Sequence, residues 1–151
     1  YDSKRTMLGD VIQNGEVTDN FFIPKEDFAK WKYLKGAKKE IRRAKNGFEY
    51  QYGEGSMVFP DALDNASRTI ITGEGGKSAS RFKHVVQTDK GLRRLTPVEL
   101  ERLNMFPDNH TLLTGISDTK RAFFMGNALV VGVVEKIGAS LFTIIGPPSF
   151  K

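Results

Sequence analysis

The stretch RRLTPVELERLNMFP, Arg93 to Pro107, carries the clearest structural instruction in the chain. Thr96 is placed as an N-cap, Pro97 takes the first helical position, and Glu99, three residues after the cap, completes a capping box. Leu95 and Leu100 flank the box as a hydrophobic staple, Leu103 continues the apolar face, and Phe106-Pro107 ends the helix. A short amphipathic helix with a firmly fixed start follows. The leucine spacing from 95 to 103 is that of core packing rather than of a cofactor box.

Downstream, Ser117-Asp118-Thr119 reads as a second helix start, and from Ala128 to Phe142 the apolar positions 130, 133, 134, 137 and 141 recur at helical spacing. Leu129 and Val131 are apolar as well, so this last helix is greasy on several faces and needs a surface to cover it. Gly146-Pro147-Pro148 ends it. Upstream, residues 53–92 are rich in turn formers, with Gly73-Glu74-Gly75-Gly76 and Ser78-Ala79-Ser80 between two strand candidates, Arg68 to Thr72 and Phe82 to Gln87. The Gly73 to Arg81 stretch, bearing Lys77 and Arg81, reads either as a loop held out for binding or as a plain flexible hairpin loop. Further back, Phe48 to Tyr52 alternates aromatic and polar residues as a half-buried strand does. Lys45-Asn46-Gly47 is a hairpin-type turn before it. Phe28, Trp31 and Leu34 predict a short helix from about Glu26 to Leu34, and residues 1–24 read as irregular structure with a short strand.

Composition narrows the function classes. The 151 residues, 39% hydrophobic and 27% charged, suit one compact domain or a small domain plus a segment of another. The opening Tyr1-Asp2-Ser3-Lys4-Arg5 has no basic and apolar leader pattern, and no run of 18 apolar residues occurs, so neither a signal peptide nor a membrane span is expected. A first residue other than Met points to a processed or partial chain. With no cysteine, disulfides and thiolate metal sites are excluded, and His84 with His110 do not make a zinc site. A cytoplasmic protein is expected. The formal charge of +5 is concentrated: between Lys25 and Lys45 stand nine basic and three acidic residues, leaving the rest close to neutral. That run is either the footprint of a polyanion or a solvated lysine-rich face. Gly75-Gly76-Lys77-Ser78 resembles part of a P-loop, but the pattern needs glycine where Ile71 stands, so nucleotide hydrolysis is unsupported.

The residues now quoted resemble a known family. RRLTPVELERLNMFP looks like the ninth motif of DNA (cytosine-5) methyltransferases, and FFMGNALVVGVVEKIG, Phe123 to Gly138, looks like their tenth. SRTIITGEGGKSASRFKHVV, Ser67 to Val86, resembles the end of the family's target-recognition domain, where a Thr followed by an aliphatic residue recurs, here Thr69-Ile70. Leu8-Gly9-Asp10-Val11-Ile12 resembles the connection after the eighth motif. The first eight motifs, with the donor-binding glycine turn, the nucleophilic cysteine and the catalytic glutamate, are not in this sequence.

The resemblance implies an α+β chain. A small strand-rich target-recognition domain over 1–115 would be followed by a helical segment, 116–151, that packs on a Rossmann-like catalytic domain. It implies double-stranded DNA as a partner, the catalytic domain or subunit of the same enzyme as another, S-adenosylmethionine as the intact enzyme's cofactor, and no catalytic residue in this chain. A restriction-modification setting goes with such enzymes. Thr69 and Ile70 would lie near the flipped base. Lys77, Ser78, Ser80 and Arg81 would reach base edges or phosphates, while Lys38, Lys39, Arg42 and Arg43 would touch phosphates. Gly126, Asn127 and Ala128 would border the donor, although Asn127 alone could equally cap a helix. With its covering surface missing, the isolated chain would self-associate through the last helix or leave it mobile.

Overall fold

The computed structural model describes residues 5–146. Among them, five α-helices, α1 (Leu8–Val11), α2 (Phe28–Lys35), α3 (Pro97–Leu103), α4 (Asp118–Asn127) and α5 (Val131–Ile145), and two short 3-10 turns (Asp19–Phe21, Lys25–Asp27) accompany two antiparallel hairpins, β1–β2 (Lys38–Arg43, Glu49–Glu54) and β3–β4 (Val85–Thr88, Gly91–Arg94). The architecture is thus mixed helix with two small sheets, less rich in strands than the sequence predicts.

The core is organised by β3. Successive side chains on a strand point to opposite faces. Val85, fully buried, therefore joins Ile23, Trp31 and Leu92 on one side, while Val86, also fully buried, joins Leu8, Val11, Leu95, Leu100, Ala122 and Met125 on the other. The capping box of α3 forms as predicted, with Thr96 Oγ1 accepting from Glu99 N and Thr96 N donating to Glu99 Oε2 at 2.8 Å. Leu95 and Leu100 are both buried. The helix stops at Leu103, before the predicted Phe106-Pro107, because Asn104 leaves the helical region and Met105 takes a left-handed φ of 62°.

Three further expectations are corrected. Arg68 to Thr72 is not a strand: its backbone crosses α4 at Gly126, where an added Cβ would lie 2.5 Å from Thr72 Cα, and no neighbouring strand runs beside it. The strand expected from Phe82 starts only at Val85, since the polar groups of Lys83 and His84 are taken by side chains, Lys83 O by Lys35 Nζ and His84 N by Glu74. The short strand expected in 1–24 reduces to a single bridge, Phe22 with Arg93. The Lys45-Asn46-Gly47 turn does close a hairpin, with Gly47 at φ 86° and Gly47 N donating to Ala44 O at 2.9 Å. It pairs a strand the sequence reading left unnamed, β1, with β2.

Ala122 and Met125 of α4 pack in the cluster of Leu8, Leu95 and Leu100, across the expected division between residues 115 and 116. Ser117 caps α4 by accepting from Lys120 N. α5 starts three residues later than expected and is almost bare: Val134 is 48% exposed, Ile137 56% and Leu141 51%. Only Gly132 is buried in it, beneath Met105. By length and composition residues 118–145 would pass for a membrane-crossing stretch, with a mean hydropathy of 1.9 over an 18-residue window, which the lack of a wholly apolar run did not anticipate. The helix is interrupted at 128–130, however, and α5 alone spans about 22 Å, short of a hydrocarbon core of about 30 Å. The Pro147-Pro148 stop lies outside the described residues.

Candidate nucleic-acid and cofactor site

A cleft of about 330 Å³ opens where the crossing segment, the end of α3 and the break between α4 and α5 meet. Thr69 and Ile70 line one side, Gly126, Ala128 and Val130 the other, with Asn104 at the back. Asn104 holds the corner together, its Nδ2 donating to Met125 O at 2.8 Å and its carbonyl accepting from Val131 N at 3.0 Å. Gly126 is required here because the 71–72 backbone leaves no room for a side chain. Two groups of residues that lie more than fifty positions apart are thereby brought to one cleft. Asn127 stands exposed at the end of α4, with its Nδ2 donating back to Phe123 O at 2.9 Å.

The glycine- and serine-rich loop beside the cleft is cinched rather than flexible. Lys83 Nζ donates to Gly76 O and Ser78 O, both at 2.7 Å, and Arg94 donates to Gly75 O at 3.0 Å and Asn20 O at 2.6 Å. Burial lowers the Lys83 pKa, helped by the charge of Arg94 and opposed by Glu74. A Cβ on Gly75 would lie 2.8 Å from Ala122 Cβ, so the loop is pressed against α4. From this anchored loop Lys77 and Ser78 reach solvent, while Ser80 is half-buried and its Oγ accepts from Phe82 N.

Ser67, His84 and Glu74 are connected in the order of a nucleophile, base and acid, with Ser67 Oγ 3.1 Å from His84 Nε2 and His84 Nδ1 3.0 Å from Glu74 Oε1. Yet His84 is fully buried, and the Ser67 hydroxyl also donates to Arg68 O at 2.9 Å. The trio ties the crossing segment and the loop to β3.

Arg81 goes elsewhere than the loop rim. Its guanidinium donates to Leu34 O, Gly36 O and Gly55 O and pairs with Glu54 at 3.2 Å, so it locks the base of the β1–β2 hairpin to the body. The four basic residues expected to form one phosphate patch divide between the hairpin's two faces. Lys38 and Arg42 share a face with Tyr50, Tyr52 and Glu54, where Lys38 pairs with Glu54 at 3.0 Å and Arg42 pairs with Glu40 and stacks 3.4 Å over Tyr52. Lys39 and Arg43 lie on the other face, both exposed, with Arg43 Nε donating to Gly47 O at 3.2 Å.

Beneath the cleft sits a charged cluster that the sequence reading missed. Asp61, 7% exposed, accepts from Arg68 at 2.8 and 3.1 Å and from Val85 N at 2.8 Å, and stands 3.9 Å from the buried Lys35 ammonium. Burial acts to raise the Asp61 pKa but is outweighed by the Arg68 and Val85 hydrogen bonds, which leave it below the usual carboxylate range. Burial lowers the Lys35 ammonium to about 8 despite attraction from Asp61. No local pattern signals these residues, because their partners come from four different segments.

A pH dependence follows. With a native pKa below its unfolded value, Asp61 contributes stability that is complete above the unfolded pKa of about 4 and is lost as pH falls through the native value. Urea midpoints should therefore fall between pH 5 and pH 3, and the fall should be shallower in Asp61→Asn, which starts from a lower stability. Parallel curves for the two proteins would show that other groups govern the acid limb.

Comparison with known proteins adds a decisive match. A model of the C-5 cytosine-specific DNA methylase family matches residues 3–143, most of the chain. The chain belongs to that family. It is 43% identical over 135 residues to the type II methyltransferase M.Sau3AI of Staphylococcus aureus, covering 89% of this chain and 32% of that protein. It is 22% identical over 155 residues to the type II methyltransferase M.HpaII of Haemophilus parainfluenzae, covering 92% and 40%. The chain thus spans about a third of the length of the first of these methyltransferases and two fifths of the second. Its fold superimposes on the Entamoeba histolytica methyltransferase EhMeth with a TM-score of 0.66 at 16% identity, covering 97% of this chain and 43% of the other. For the S. pombe methyltransferase Dnmt2 the TM-score is 0.64 at 14% identity, covering 97% and 44%.

C-5 cytosine methylases use S-adenosylmethionine. The residues present fit one wall of such a pocket: the Gly126 and Ala128 backbone opens onto the cleft, but its lining contains no carboxylate to take ribose hydroxyls or an amino group.

Proposed function

We propose that this chain is the DNA-recognition and carboxy-terminal part of a cytosine-5 methyltransferase, working with a catalytic part that supplies the nucleophile and most of the donor site. The observation that carries this reading is the cleft onto which Thr69-Ile70 and the pair Gly126 and Ala128 both open, with Asn127 outside it. In this reading the flipped base and the donor meet the chain at neighbouring walls. Thr69 and Ile70 border the extruded base, an arrangement needed because an enzyme working on carbon 5 must take the base out of the stack. Gly126 and Ala128 border the donor, which supplies the methyl group, and Asn127 offers its free carboxamide oxygen beside them.

The rest of the surface grips the duplex. Lys77 and Ser78 reach out from the cinched loop, Ser80 lines its root, and Lys38, Lys39, Arg42 and Arg43 add positive charge on the hairpin. Arg81 serves this grip by positioning the hairpin. Attack on carbon 6 of cytosine calls for a thiolate, and the chain has no cysteine, so by itself it turns nothing over. The apolar surface of α5 supports a catalytic part as its cover, whether in the same polypeptide or in a separate one.

Mixing the chain with a cysteine-bearing catalytic part, duplex DNA and labelled S-adenosylmethionine tests this. Label should enter DNA only in the mixture. Turnover by the chain alone refutes the division of labour, and a mixture that forms a complex but stays inactive favours a non-catalytic DNA-binding regulator.

A further inference from the structure

We infer that the outer face of the β1–β2 hairpin reads base edges in the DNA major groove and sets the sequence that the enzyme recognises. This rests on the reading of the chain as a DNA-recognition part, and it moves specificity away from the loop at 73–81.

The cross-strand register puts Lys39, Ile41 and Arg43 of β1 on one face with Glu49, Gln51 and Gly53 of β2. All six are exposed, whereas the opposite face is mostly half-buried and satisfies its own charges through Lys38–Glu54, Arg42–Glu40 and the Arg42–Tyr52 stack. One face thus stiffens the ribbon and the other is left to bind. Arg81 fixes the ribbon's root, so the outer face is held on a rigid mount.

The outer face is chemically varied in the way base edges require. Lys39 and Arg43 donate, as guanine O6 and N7 need; Gln51 both donates and accepts, as adenine N6 and N7 need; Glu49 accepts, as the cytosine amino group needs; and Ile41, 77% exposed, offers a methyl contact for thymine. A surface meant only for phosphates has no use for Glu49 or Ile41. A surface meant for burial against the rest of the enzyme would be poorer in charge, as interface cores are. α5 has that apolar character and this face does not.

Dimensions agree. The major groove, about 12 Å wide, admits a two-stranded ribbon whose strands lie about 4.8 Å apart. Six residues per strand extend about 20 Å, the length of about six base pairs. At the root a shallow hollow of about 580 Å³, lined by Lys39, Gln51, Gly53 and Gly55 together with Lys38 and Glu54 of the other face, leaves space for a close approach, and a Cβ at either Gly53 or Gly55 would meet no protein atom within 4 Å.

The test is selection of bound sequences from a pool of randomised DNA duplexes by the 151-residue chain, with circular dichroism confirming that each variant folds. The wild type should enrich one sequence, and Lys39→Ala or Gln51→Ala should each relax one base pair, losing about 5- to 150-fold discrimination there. Gly53→Leu, whose Cβ would meet no protein atom within 4 Å, should weaken the selected duplex at least tenfold, while Lys90→Ala at the β3–β4 turn leaves the selected sequence unchanged. If the hairpin variants enrich the wild-type sequence and weaken every duplex alike, the face touches phosphates and the inference fails while the DNA-recognition reading stands. Equal binding to duplex RNA also overturns it, since the deep, narrow A-form groove excludes a ribbon. Failure of the wild type to enrich any duplex overturns both readings.

Discussion

Replacing Glu99 by alanine should unfold this chain at ambient temperature or bring it close to unfolding. Glu99 is fully buried and bonds twice to the guanidinium of Arg93, itself 1% exposed, at 2.6 and 2.8 Å. The same carboxylate accepts from Thr96 N at 2.8 Å, closing the capping box, and from Gln13 N at 2.9 Å, pinning the amino-terminal segment to α3. Removing it strands a buried guanidinium, which costs about 3–5 kcal/mol, and adds a lost helix cap of about 0.5–2 kcal/mol. A domain of this size has a total stability of about 5–15 kcal/mol. Urea unfolding followed by the single tryptophan, Trp31, buried to 1% exposure beside β3, measures the loss. The double variant Arg93→Met with Glu99→Gln should recover part of it, because no unpaired charge then remains. A loss below about 1 kcal/mol in Glu99→Ala would mean that the pair is dispensable.

The second large effect concerns association. α5 presents Val133, Val134, Ile137, Leu141 and Phe142 to water, each about half exposed. Burying such a side chain fully is worth about 1.5–3 kcal/mol, so covering a few of them is a sufficient drive for self-association. Sedimentation equilibrium should find the isolated chain as dimers or larger species, and Val134→Lys with Leu141→Lys should return it to the monomer. Val130 is unsuitable for this purpose because it lines the cleft. Adding a catalytic part should compete with self-association. A wild-type monomer at high concentration would show that α5 is not the sticky element.

Local chemistry made much of the fold legible. The α3 start, the Ser117 cap of α4 and the Asn46-Gly47 turn each depend on residues within a few positions of one another, so a reader of the sequence sees every participant. The same holds for the apolar character of α5. What stayed illegible was set by distance. Nothing near Arg68 to Thr72 announces that it lies across Gly126 instead of pairing in a sheet, and nothing near Arg81 announces that its partners are the carbonyls of Leu34, Gly36 and Gly55. A run of basic residues also conceals which ones share a face. Only the strand register separates Lys39 and Arg43 from Lys38 and Arg42. The cleft itself was half visible, since the resemblance named both of its walls without showing that they meet.

The two glycine contacts on α4 bear on where this chain can be cut and rejoined to a relative. Gly75 and Gly126 press the 71–76 segment onto this helix so closely that neither side can be replaced without its complement. A chimaera joined between residues 115 and 116 would pair a foreign α4 with a native crossing segment, and any side chain bulkier than hydrogen at the two contact points would force them apart. A joint within 128–130 severs only extended backbone between α4 and α5. Grafts joined just before Val131 should fold best, because α4 and the cleft residues Ala128 and Val130 then travel with the 71–76 segment.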